Sequence, residues 1–284
     1  MHIRPLTLAD VPLAELVAYQ AMAPLMPPSG PDPAERAARG RSRIAHLVEL
    51  DPAGAWAAED GDGQLAGVAL ALLRDGIWGL SLLAVDPAHQ TQGLGRALLD
   101  AALTYAEGAR GAIILSSTDP RAMRRYARAG FDLMPCVAAA GIVDRAALPP
   151  AHPGIRTATG DDLPATEAIS RAVRGATHVS DLPNAIDRGA ELLVLEGRGF
   201  AAHREGGLQL LAALDEEAAT ALLWEALRRS RPGATVAVDF LSAGQDWAVR
   251  TVLDAGLALS PDGPLFVRGE LGPLRPYIPS GAYL

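Results

Sequence analysis

A chain of 284 residues, 49% of them hydrophobic and 20% charged, is too long for one ordinary domain of ~100–200 residues and too apolar to be disordered, so two globular domains are expected. All 25 basic residues are Arg, which excludes chemistries that need a Lys, from phosphate-loop nucleotide binding to Schiff bases; a net charge of −8 excludes a general nucleic-acid footprint and suits cationic or amine ligands. With one cysteine, Cys136, no signal-peptide core in MHIRPLTLADVP and no run of ~18 apolar residues, the chain is expected to be cytoplasmic, without intrachain disulfides and without a membrane span.

In chain order, a strand is predicted near 2–5 and a helix near 9–20, followed by a proline-rich loop from Pro24 to Pro33 and a helix near 33–48. Strands near 55–60, 64–73 and 77–85, separated by Gly-Asp-Gly and Asp-Gly turn signals, form an antiparallel meander. A Gly-containing loop then leads to a helix near 94–107, a strand at 111–117, a helix at 120–129 and strands near 131–135 and 137–143. The second half repeats this order, with strands near 191–195, 199–204, 207–214, 234–241 and 264–269 and helices near 162–174, 181–188, 216–230 and 245–255.

The repeat is written in the residues. Ile3-Arg4-x-x-Thr7-x-x-Asp10-Val11-Pro12 returns as Ile155-Arg156-x-x-Thr159-x-x-Asp162-Leu163-Pro164, each a short strand entering a helix with a capping residue and Pro in its first turn. Ala129-Gly130-Phe131-Asp132-Leu133 is echoed by Ala255-Gly256-Leu257-Ala258-Leu259, each closing a helix with Gly before a strand. The expected division is a first domain at 1–148, a linker at 149–153 and a second domain at 154–284. The fold class is mixed α/β, two tandem domains, each a mostly antiparallel sheet flanked by helices.

The segment that carries chemistry runs from Leu82 to Leu99. An apolar strand stops at Asp86-Pro87, a loop turns through Gly93, and a helix starts with Leu94, Ala97, Leu98, Ala101, Ala102 and Tyr105 on one face. Unpaired N–H groups at such a start favour an anion, and Gly93 and Gly95 let a phosphate approach the backbone, which points to a pyrophosphate. A dinucleotide site of the Rossmann type would want Gly or Ala where Leu98 stands, and would follow the first strand of a βαβ unit rather than a meander.

Gln90-Thr91-Gln92-Gly93-Leu94-Gly95 after Val85-Asp86-Pro87, with Tyr126-Ala127-Arg128-Ala129-Gly130-Phe131 further on, resembles the GCN5-related N-acetyltransferase (GNAT) superfamily, whose acetyl-CoA loop reads [RQ]-x-x-G-x-[GA]. The second half has no Gly-x-Gly after its strand near 207–214, and Trp247 and Val252 stand in the helix where a catalytic Tyr would be sought, so it resembles the degenerate half of tandem GNAT proteins. The resemblance implies acetyl-CoA as co-substrate, with Gln90, Thr91, Gln92, Gly93, Leu94, Gly95 and Arg96 around its pyrophosphate. It also implies that Leu83, Ala84 and Val85 pair with the pantetheine arm and that a backbone N–H of that strand polarises the thioester carbonyl. Tyr126 would protonate the leaving thiolate; its alternative is a half-buried core Tyr on the face of Ala122 and Ala129.

The strand 77–85 has no carboxylate to take the amine's proton. Pro273, Pro276 and Pro279 stiffen an apolar tail with Tyr277, Ile278, Tyr283 and Leu284, and a docked tail would deliver a carboxylate at Leu284, a role that resembles that of the enhanced-intracellular-survival acetyltransferases; otherwise the tail only packs. His89 lies beside the loop, and Ser81 reads equally as sheet filler or as a substrate contact. The six His and the one Cys form no metal-ligand pattern, so no metal is expected. The expected function is acetyl transfer from acetyl-CoA to a primary amine of a small molecule by a monomer or homodimer. A non-catalytic acyl-CoA sensor or scaffold is the alternative.

Overall fold

The computed structural model describes residues 2–25, 32–205 and 207–284, so residues 26–31 of the expected proline-rich loop lie outside the described residues. The elements of the first half are β1 (His2–Pro5), α1 (Val11–Met22), α2 (Pro33–Leu50), β2 (Ala55–Glu59), β3 (Leu65–Arg74), β4 (Ile77–Val85), α3 (Leu94–Thr104), β5 (Gly111–Leu115), α4 (Pro120–Arg128), β6 (Asp132–Met134) and β7 (Cys136–Ile142). Those of the second are β8 (Ile155–Thr157), α5 (Leu163–Val173), α6 (Leu182–Asp187), β9 (Glu191–Leu195), β10 (Gly199–Arg204), β11 (Gly207–Ala213), α7 (Glu216–Arg229), β12 (Thr235–Ser242), α8 (Asp246–Asp254), β13 (Ala258–Pro261), β14 (Leu265–Gly269) and β15 (Tyr277–Ile278). Packing divides the chain into two compact units, residues 1–114 with Leu284, and Leu115–Tyr283.

In the first unit β1, β2, β3 and β4 form the expected antiparallel meander, and β5 joins β4 in parallel. A parallel neighbour needs a crossover, which α3 supplies by turning Leu94, Leu98, Leu99 and Ala102 inward. On α1 the buried Glu15 is paired with Arg36 of α2 at 2.7 Å. Buried Asp51 accepts from Arg74 Nη1 at 2.8 Å and Nη2 at 2.9 Å, from the Leu73 N–H at 3.1 Å and from the Tyr105 hydroxyl at 3.0 Å. Burial beside this carboxylate pushes the Tyr105 phenol up to about 12. Removing one member of such a buried pair strands the other charge, so Asp51→Ala is expected to cost about 3–5 kcal/mol in urea denaturation.

In the second unit the sheet order is β13-β7-β12-β11-β10-β9-β8 with β15 on β11, and β6 pairs antiparallel with β14. α7 turns Ala218, Ala219, Leu222, Leu223, Ala226 and Leu227 onto the sheet. β7 runs antiparallel to both β12 and β13, so two strands read from the sequence as belonging with residues 1–148 pack on strands that follow the linker. The compact units divide between Ile114 and Leu115. The short apolar run Cys136–Ile142 reads as a strand, but nothing local specifies its neighbour.

The duplication is visible as chemistry. Arg4 pairs with Asp10 at 2.8 Å and Arg156 with Asp162 at 2.7 Å, while the N–H and hydroxyl of Thr7 and of Thr159 donate to the same carboxylates. These bonds hold both carboxyls well below the usual range. No helix among the described residues is long and apolar enough to cross a membrane.

Candidate functional site

β4 is bound on one side by β3, from Arg74↔Ile77 to Gly67↔Val85, with a register shift that leaves Ser81 as an extra residue between Leu80, opposite Ala71, and Leu82, opposite Leu70. On its other side β4 is bound by β5, but among the described residues that pairing covers only Ile77↔Gly111 to Leu80↔Ile114. A bulge bends a strand and increases its twist, so β4 leaves β5 where the bulge begins. Among the described residues β5 does not pair with the edge from Leu82 to Val85, which leaves backbone there for an extended ligand to pair with. Leu83 and Val85 are half-buried and Ala84 buried, which alternates as a strand with one sheltered face.

The bulge has a clamp that the sequence does not announce. Arg43 of α2 donates from Nη2 to the Ser81 carbonyl and, at 2.7 Å, to its Oγ; Nε reaches the same oxygen at 3.2 Å. Ser81 is therefore neither plain filler nor a free hydroxyl.

Past β4, Asp86 caps a short turn by accepting from the Ala88 N–H at 2.8 Å, and Gln90 Nε2 donates back to the Val85 carbonyl at 3.1 Å. Thr91 and Gly93 then take left-handed backbone, φ 68° and 89°. Left-handed Gly93 is the N-cap of α3; the Arg96 and Ala97 amides turn to its carbonyl at 3.0 and 3.1 Å, and no described residue accepts from the amides of Leu94 and Gly95. A Cβ at Gly93 would meet no atom within 4 Å, so its surroundings are open. Arg96 is exposed and only loosely paired with Asp100, at 3.5 Å. His89 faces carboxylates, Nε2 at 3.4 Å from Asp60 and Nδ1 at 3.6 Å from Asp86, which argues against a phosphate contact for this side chain. Exposed backbone donors at a helix start, flanked by an available Arg, make an anion cradle.

Leu284 groups with this unit and is wholly buried. A Cβ at Gly79 of β4 would fall on its Cδ1, with Leu284 Cγ and Leu72 Cδ1 each at 3.3 Å. Gly79→Ala is therefore expected to destabilise the chain by about 1–3 kcal/mol, with Leu284→Ala in the same chain recovering part of the loss in a double-mutant cycle.

Tyr126 belongs to the second unit, on α4, whose start is capped by Asp119 accepting from the Arg121 N–H at 2.8 Å. It is buried, and its ring meets Phe266 edge-on, centroids 5.4 Å apart. No described residue hydrogen-bonds its hydroxyl, and burial pushes the phenol above its ordinary value. In the corresponding helix of the second half, α8, Trp247 is buried and donates from Nε1 to Gln245 at 2.8 Å, and Val252 is core. The tail Tyr283 hydroxyl donates to Asn184 and accepts from Arg188 at 3.2 Å. Among the described residues no group of three or more His, Cys, Asp or Glu is placed to hold a metal ion.

Residues 18–131 match the model of the Acetyltransferase (GNAT) family. A mycothiol acetyltransferase of Clavibacter sepedonicus is 30% identical over 179 residues, 63% of this chain and 48% of that protein, so the chain matches about half the length of this relative. In fold, a putative acetyltransferase from Pyrococcus horikoshii aligns with TM-score 0.80 and 16% identity over 100% of this chain and 95% of that one. A tandem GNAT protein from the clavulanic acid biosynthesis pathway aligns at 0.60 and 15% over 94% and 98%. A GCN5-related N-acetyltransferase from Sphaerobacter thermophilus aligns at 0.57 and 19% over 99% and 98%.

Proposed function

We propose, for a chain whose residues 18–131 match the acetyltransferase (GNAT) family model and whose fold is like that of a tandem GNAT protein, that the first repeat transfers an acetyl group from acetyl-CoA to a primary amine of a small molecule. The observation that carries this reading is the open edge of β4 leading into unpaired amides at the start of α3. A pantetheine arm is an extended chain with amide groups and can add to a strand edge, while a pyrophosphate needs a cradle of N–H donors. The two features stand in the order that an acyl-CoA requires.

In this reading the thioester supplies the acetyl group, and the amine nitrogen attacks its carbonyl carbon directly. Leu83, Ala84 and Val85 orient the carbonyl, and an N–H on this edge holds the negative oxygen that forms as the C–N bond is made. Gln92 to Arg96 hold the pyrophosphate, with Gln90 and Thr91 shaping the loop. Tyr126 gives its proton to the thiolate as the C–S bond breaks; burial raises its phenol above the ordinary value, so the proton is present at neutral pH. The proton that the attacking amine loses is taken up by water, because β4 carries no carboxylate. The reaction is placed in the cytoplasm.

Titrating acetyl-CoA into the protein by calorimetry is expected to give a stoichiometry near one per chain, because only the first repeat carries the Gln-x-x-Gly-x-Gly loop; a value near two would sink this reading. Thiol release across a panel of primary amines then separates catalysis from a sensor, which would bind acetyl-CoA and release no thiol with any amine.

A further inference from the structure

β11 and α7 hold in the second unit the place that β4 and α3 hold in the first. Each strand has an antiparallel neighbour on one side, β10 or β3, and a parallel neighbour on the other, β12 or β5, and each runs into a helix. The parallel neighbour is again lost early. Among the described residues β11 pairs with β12 only at Gly207↔Ala237.

The edge freed on β11 is filled by the chain itself. β15 lies antiparallel on it, Leu211 opposite Ile278 and Ala212 opposite Tyr277, and the Ala213 N–H donates to the Pro276 carbonyl at 3.2 Å. The occupant is fastened from several sides. Gln245 Nε2 donates to the carbonyls of Leu274 and Tyr277, both at 2.7 Å, the Leu274 N–H donates to Val173 at 2.8 Å, and the Tyr277 hydroxyl meets His178 Nε2 at 3.0 Å in full burial.

The end of this slot is also altered. Where the first repeat has Gly93, Leu94 and Gly95, α7 is N-capped by Asp215, whose side chain accepts from the Ala218 N–H at 2.8 Å, and begins with Glu216 and Glu217. The N–H groups are capped from within and the first turn is acidic, which repels a phosphate. An uncharged extended polypeptide fits such a slot and a coenzyme does not.

We propose that the second repeat has turned the family's cofactor slot into a strand acceptor for apolar, proline-flanked polypeptide, with the chain's own residues 276–278 as its resident ligand. The inference rests on the family's fold and not on catalysis by the first repeat.

Amide hydrogen exchange on the full chain tests it. Ile278→Pro removes an N–H from the paired strand, and exchange at Leu211–Ala213 is expected to quicken roughly tenfold while β9 and β10 keep their protection. A peptide of residues 273–282 in excess should restore that protection in the variant and leave the parent chain unaffected. Acetyl-CoA should restore nothing there and should bind the parent and the variant with equal stoichiometry. Parent-like protection in a folded Ile278→Pro chain, no response to the peptide, or an additional acetyl-CoA bound by the variant would each overturn the proposal. If Ile278→Pro loses protection in β9 and β10 as well, Gln245→Ala, which frees the tail carbonyls without touching β11, is read by the same criteria. Absence of any acetyl-CoA binding would count against the first repeat's function and leave this inference standing.

Discussion

A Gly93→Val chain is expected to bind acetyl-CoA at least ~100-fold more weakly than the parent, with a melting temperature close to it. Two effects act together. Gly93 has φ 89°, where a β-branched residue is strained by about 1–3 kcal/mol, so the loop would relax away from the conformation that presents the α3 amides. Any Cβ at this position also projects into the open space through which a phosphate is proposed to approach, because no described atom lies within 4 Å of it. The same openness protects the fold, since no core contact is disturbed. Gly93→Ala, with the strain but less bulk, should fall between parent and Val, and isothermal titration reads all three. A Val variant that binds like the parent would reduce the loop to a helix cap.

How much of this was legible in the sequence depends on the range of each interaction. The helix start at Leu94 and the capping of Thr7–Asp10 and Thr159–Asp162 are local, and residue type and spacing expose them. The meander is nearly local, since its strands follow one another through turn signals. The Arg43 clamp on Ser81 and the Asp51–Arg74 pair join residues far apart in the chain, and each partner alone reads as an ordinary surface or strand residue. β7 illustrates the same limit at the level of sheets: its pattern announces extended chain, and only the assembled edges of β12 and β13 determine where it goes. β15 was hidden for a different reason. Two paired residues between Pro276 and Pro279 are too short for any alternation, and prolines argue against a strand unless, as here, they stand at its ends.

Tyr126→Phe is expected to lower kcat by roughly 10²–10⁴-fold while leaving acetyl-CoA affinity and stability nearly unchanged. The separation follows from the side chain's surroundings. Its ring is packed edge-on against Phe266, a contact that Phe reproduces with the same ring. Its hydroxyl has no hydrogen-bond partner among the described residues, so its removal leaves no donor or acceptor stranded in the fold. A purely structural Tyr would give a variant of parental turnover, whereas a proton donor would give one that binds substrate and stalls at departure of the thiolate. The pH profile adds a second reading. Burial holds the phenol above its ordinary value, so the donor stays protonated through the neutral range, and the parent's turnover should not fall between pH 7 and pH 9 from loss of this proton. Leaving groups of lower pKa need less help, so a thioester of an acidic thiol should recover much of the lost rate in Tyr126→Phe and change little in the parent. Equal rate losses with both thioesters would remove Tyr126 from the proton path.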